Sequence, residues 1–117
     1  MTDEMLLLAK RAVACKGWWW MPGMRWWTDD DRGRLDDYQP EYMGRPTDAL
    51  PDLSDPATVG CLLALVRVAY ADPYASVWYS SDHNHSGDRW SYYSKAFSFT
   101  GHATEAEALV VALESAL

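Results

Sequence analysis

Apolar residues recur at helical spacing in three stretches of this 117-residue chain. From Asp3 to Lys16, Met5, Leu8, Ala9, Ala12, Val13 and Cys15, joined by Leu6 and Leu7, cover more than half of a helical circumference. That pattern predicts a helix buried on two sides. Thr2 is its N-cap, Asp3 and Glu4 suit the positive end of the dipole, and Gly17 is the stop. In the second stretch Asp55 caps, Pro56 takes the first turn, and Thr58 to Ala71 form the body. Leu62, Leu63, Leu65, Val66, Val68 and Ala69 leave little polar face beyond Arg67, so this helix is expected at the centre of the fold. Asp72-Pro73 ends it, because proline cannot continue the hydrogen-bond ladder. The third starts at Thr104, with Glu107 at capping-box spacing, and runs to the C-terminus. Ala106, Leu109, Val110 and Leu113 form its inward stripe with Leu117 at the end, while Glu105, Glu107 and Glu114 face water.

Between the helices the period shortens to two. Ala75 to Ser81 (A-S-V-W-Y-S-S) and Arg89 to Thr100 (R-W-S-Y-Y-S-K-A-F-S-F-T) read as strands joined by a turn over Asp82 to Asp88. In the second, Trp90, Tyr92 and Ser94 share one face and Tyr93, Lys95, Phe97 and Phe99 the other. One aromatic face can thus lie on the helices while the opposite face still carries rings. An earlier hairpin is read in Trp18 to Met21 and Met24 to Thr28, around Pro22-Gly23. A turn over Asp29 to Arg34 and a short returning strand from Leu35 to Tyr38 follow. Pro40, Pro46 and Pro51 interrupt Gln39 to Ser54, which reads as a long ordered loop. The order helix–hairpin–loop–helix–hairpin–helix predicts one α+β domain over residues 1–117, with an antiparallel sheet of about four strands packed with three helices.

Composition adds one anomaly to this picture. Gly17 to Thr28 (G-W-W-W-M-P-G-M-R-W-W-T) holds five of the seven tryptophans. In an extended segment Trp18 and Trp20 would point away from Trp19, and Trp26 away from Trp27. A small core is not expected to absorb five indoles, so a partner subunit, a flat ligand or another protein is expected to cover some of them. The net charge of −7 argues against duplex nucleic acid, whose affinity comes mainly from Lys and Arg on phosphates. Cys15 and Cys61 lie in apolar helical patterns and read as buried thiols, which fits a reducing cytoplasm. The acidic start and the break at Lys10 and Arg11 argue against a secretory signal. No run approaches the ~20 apolar residues of a membrane span. A cytoplasmic chain with no membrane partner is expected.

Catalytic and metal motifs are weak. His83 and His85 of the Asp82-x-x-His85 loop would point apart, His102 lies further on, and a solvated turn accounts for the same letters. Asp29-Asp30-Asp31 lacks the glycine and terminal glutamate of a calcium loop. Neither a G-x-S-x-G elbow nor a glycine-rich phosphate cradle occurs, so no catalytic residue, metal or cofactor is expected. What remains is arginine beside rings: Arg25 between the tryptophan groups, Arg32 and Arg34 after them, Arg45 in the proline-rich loop, and Arg89 beside Trp90. Rings stack on nucleobases and arginine grips phosphate bidentately. Arginine stems covering indoles within one subunit account for the same placement, and so does a subunit interface.

The W-W-W-M-P-G-M segment after a first helix, the P-D-L-S-D-P-A-T-V-G-C-L-L-A-L-V helix and the closing T-E-A-E-A-L-V-V-A-L helix resemble small phage-encoded proteins of the ABA-sandwich type. The resemblance implies a sheet between helical layers. Some small phage proteins counter host defence, and the Thoeris anti-defence proteins do so by sequestering a cyclic ADP-ribose signal.

The expectation is therefore a binding protein that sequesters a nucleotide-derived immune signal without catalysis. Trp20, Arg25, Trp27, Tyr79, Arg89 and Trp90 are the candidate ligand contacts, and the Trp-rich segment is the candidate homo-oligomer surface. The rival reading is an acidic protein–protein inhibitor of a host effector, of the anti-CRISPR type, built on Asp29, Asp30, Asp31, Asp36 and Asp37. A third is a signal-degrading enzyme dependent on His83 or His85.

Overall fold

The computed structural model describes residues 2–35, 45–80, 89–94 and 98–116. Its three helices start where the capping residues stand. Thr2 Oγ1 accepts from the Met5 amide at 3.2 Å and opens α1 (Asp3–Val13). The Asp55 carboxylate accepts from the Thr58 amide and opens α2 (Pro56–Ala69). Thr104 Oγ1 accepts from the Glu107 amide at 3.0 Å and opens α3 (Glu105–Ser115). Each side-chain oxygen satisfies an amide that the helix cannot pair internally.

The strands form two three-stranded antiparallel sheets rather than one of about four strands; the class is α+β. In the first, β1 (Arg25–Trp27) lies between β2 (Arg32–Arg34) and β3 (Leu50–Pro51). In the second the order follows the chain: β4 (Ser76–Ser80), β5 (Arg89–Tyr93), β6 (Ser98–His102).

Two expected hairpins are redrawn. Pro22-Gly23 does turn, with Met24 N donating to Met21 O at 3.2 Å and Gly23 at φ +94°. Residues 18–21 form no strand, however, because both edges of β1 are already taken by β2 and β3. The returning strand is Arg32–Arg34 rather than Leu35 to Tyr38, of which 36–38 lie outside the described residues. The long strand expected from Arg89 to Thr100 is divided into β5 and β6. Twelve extended residues would run about 40 Å, whereas an eleven-residue helix is about 16 Å long. Five-residue strands match the helix that covers them.

That helix is α3, not α2. It packs on α1, on α2 and on all three strands of the second sheet. Ala106, Ala108 and Ala112 are buried on it beside Leu109, Val110 and Leu113, and small side chains let neighbours approach from every side. α2 leaves Val68 exposed. α1 buries only Leu8, Ala9 and Ala12 fully, one stripe instead of two sides, because it packs mainly against α3 and β3.

Two apolar clusters result. The larger joins Leu8, Leu62, Val66, Tyr92, Leu109 and Leu113. The smaller holds Met24, Trp26, Leu35, Ala49 and Leu65, with Trp18, Trp20, Met21 and Cys61 packed around it. The smaller one absorbs most of the tryptophan segment. Trp26 is 5% exposed. Its indole lies across Gly33 of β2, where a Cβ would stand 2.6 Å from Trp26 Cζ2. A glycine opposite a tryptophan in an antiparallel pair lets the ring lie flat on the sheet, and so makes room the sequence pattern did not predict. At the end of α2, Ala71 takes a left-handed φ of 52°, and the Asp72 amide reaches back to Arg67 O in a Schellman-type stop.

Candidate functional site

Trp18 and Trp20 meet edge to face, their ring centroids 5.5 Å apart. The Arg45 guanidinium sits over the Trp20 ring at 4.7 Å, a distance at which the ring quadrupole attracts the cation. These three residues, with Trp19, Met21 and Pro22, line a groove of about 550 Å³. Trp19 stands on its rim, 57% exposed. Trp18 Nε1 is buried with no hydrogen-bond partner among the described residues. Two differently oriented aromatic planes and a cation therefore meet at one concavity.

Only Trp20 of the six expected contacts lies in this groove. Arg25 and Trp27 sit in β1 on either side of buried Trp26. The Arg25 side chain lies 3.9 Å from Asp52, and the Arg25 amide donates to Thr58 Oγ1 at 2.8 Å. Tyr79 and Trp90 belong to the second sheet, where they are cross-strand partners with centroids 5.1 Å apart. They share the helix-facing side with Val77 and buried Tyr92. Trp90 borders a separate groove of about 500 Å³ between Leu53, Pro56 and Thr104. Arg89 stands opposite Ser80 in β5, and its side chain lies outside the described residues. The six do not form one site. Trp18, Trp19 and Arg45 join Trp20 instead, a grouping missed because Arg45 lies far along the chain from the tryptophans it meets.

Arg34 and Arg67 are structural. Arg34 forks onto Asp55, both N···O distances being 2.9 Å, and donates to Gly23 O at 2.7 Å. Arg34, with Thr58, holds the Asp55 carboxyl far below the usual carboxylate range. Arg67 donates to Ala75 O at 2.8 Å. His102 Nδ1 lies 3.4 Å from Glu107, so the carboxylate of the third helix's expected capping box meets an imidazole.

Asp29, Asp30 and Asp31 are exposed in the β1–β2 turn, where Thr28 Oγ1 accepts from the amides of Asp30 and Asp31. Asp36, Asp37, Asp82, His83 and His85 lie outside the described residues. Among the described residues no metal-holding group of His, Cys, Asp or Glu occurs, and no helix is long and apolar enough to cross a membrane. Cys15 and Cys61 are free thiols bonded to Arg11 O and Pro22 O. Burial pushes both thiols above the ordinary cysteine range. At pH 8, Ellman's reagent should therefore label both more slowly in the native protein than in denaturant. Equal rates would show the thiols to be open to solvent.

No family model, curated protein sequence or solved structure matches this chain.

Proposed function

We propose that the protein binds, without turnover, a small flat anionic ligand of the nucleotide class in the Trp18–Pro22 groove. The observation that carries this reading is the Arg45 guanidinium stacked over Trp20 inside a groove rimmed by exposed Trp19. A nucleobase would stack on an indole face, an interaction of about 1–3 kcal/mol per base. The positive charge of Arg45 over Trp20 would favour a ligand that carries phosphate. One arginine in an acidic chain suits a ligand with few phosphates and disfavours a polyanion. The sequence resemblance to small phage-encoded proteins, some of which counter host defence, makes a cyclic nucleotide or a cyclic ADP-ribose isomer the ligand to try first, with sequestration of an immune signal as the proposed role.

Isothermal titration against a panel of such nucleotides tests the proposal. At least one should bind with a micromolar or tighter Kd. Trp20→Ala and Arg45→Ala should each weaken it at least tenfold, and the bound nucleotide should be recovered unchanged. Trp90→Ala, outside the groove, should leave the affinity within twofold. Absence of binding across the panel, or equal loss from Trp90→Ala, overturns the reading.

A further inference from the structure

The two sheets have four edges, and three of them are guarded against pairing with another strand. β2 carries Arg32 and Arg34, β3 is two residues long and contains Pro51, and β6 is distorted by a register shift against β5 and by Gly101 at φ +85°. Charge, proline, shortness and bulges are the devices that protect exposed strand edges. The fourth edge, β4, has none of these. It is five residues long, S-V-W-Y-S, pairs regularly with β5 at every position, and contains no charge, proline or glycine. The outer face beside it is aromatic: Trp78 is 64% exposed and Tyr93 60%, with Ser76 and Ser91 on the same side. Among the described residues nothing lies against that edge or face.

We propose that β4 pairs antiparallel with β4 of a second copy of this chain, joining two three-stranded sheets into one of six strands. Two features select a second copy over a foreign strand. The strand is nearly palindromic in polarity, so a two-fold axis through Trp78 sets Trp78 against Trp78 of the partner, Val77 against Tyr79, and Ser76 against Ser80. Every position then meets one of like polarity, and the aromatic cross-strand contact lies on the outer face. The edge is also a neutral strip on a chain of net charge −7, so no like charges on the strand itself oppose its pairing with a second copy. The register centred on Trp78 is symmetric whether that residue's backbone groups point outward or toward β5. This surface is separate from the Trp18–Pro22 groove, so the dimer and the ligand proposal stand or fall independently.

Sedimentation velocity across roughly 1–100 µM, a range suited to a small interface, should show a shift from the 13.3-kDa monomer to twice that mass. Trp78→Lys places two like charges on the axis and should weaken dimerisation at least tenfold. Its far-UV circular dichroism should be unchanged, since the exposed indole bonds only to Ser76 among the described residues. The register has its own test, which holds even if the lysine variant misfolds. Under mild oxidation Trp78→Cys should form a covalent dimer in high yield, and Tyr93→Cys, a strand away from the axis, should not. A wild-type monomer at 100 µM, a lysine variant that dimerises as well as wild type, or cross-linking at Tyr93 equal to that at Trp78 overturns the proposal.

Discussion

Asp55→Ala should lower the melting temperature by about 8–12 °C, a loss of roughly 2–3 kcal/mol in a domain of this size. The carboxylate caps α2 through the Thr58 amide and accepts from Thr58 Oγ1, and that hydroxyl oxygen accepts from the Arg25 amide of β1. Removing it uncaps the helix and frees a buried hydroxyl that links the helix to the first sheet. Arg34, nearly half exposed, adds little by its charge alone. Asp55→Asn separates the effects, since asparagine also caps helices but carries no charge.

The pH dependence follows from the depressed pKa of Asp55. A carboxylate held below its unfolded value contributes stability that is complete above about pH 4 and is lost as pH falls through the folded value. Denaturation melts from pH 7 to pH 2 should thus converge: wild type exceeds Asp55→Asn at neutral pH, and the gap narrows below about pH 4. A gap that stays constant to pH 2 would place the Asp55 contribution in geometry rather than charge.

Gly33→Ala should cost about 1–3 kcal/mol, the usual penalty of forcing atoms into a packed core. Its Cβ would stand 2.6 and 2.7 Å from Trp26 Cζ2 and Cε2, and the indole has nowhere to retreat among Met24, Leu35, Ala49 and Leu65. The control is Gly60→Ala in α2, where no atom lies within 4 Å of the added Cβ. That change should stabilise by up to about 1 kcal/mol, because alanine favours helix over glycine. Near-UV circular dichroism should weaken for Gly33→Ala and hold for Gly60→Ala. Two substitutions of the same size with the same sign would remove the steric explanation.

Helix starts were legible because a cap is a local event: Thr2, Asp55 and Thr104 each sit within three residues of the amide they satisfy. The alternation of Trp90, Tyr92 and Ser94 against Tyr93 also survived, since the period of a strand is intrinsic to its backbone. Pairing of strands adjacent in the chain was legible, as in β4 with β5, but distant pairing was not. β3 reaches β1 from more than twenty residues away, and nothing in L-P advertises a strand. The tryptophan surplus is relieved in part at Trp26, and this was illegible for the same reason. Its relief depends on Gly33, which reads as part of a turn until it is seen beneath Trp26. Of the candidate site, Trp20 was legible from local density of rings, whereas Arg45 arrives by a route only the folded chain defines.

One helix serves as a shared wall. α2 gives Leu62 and Val66 to the larger cluster and Leu65 and Cys61 to the smaller. The first sheet has strands of only three, three and two residues and could not persist as an island. Its order is borrowed from a helix whose other side is committed to the main core, so loosening either side releases the common wall. The chain should therefore melt as a single cooperative unit, and a ligand held by the Trp18–Pro22 groove would stiffen residues on the far side of α2 that it never touches.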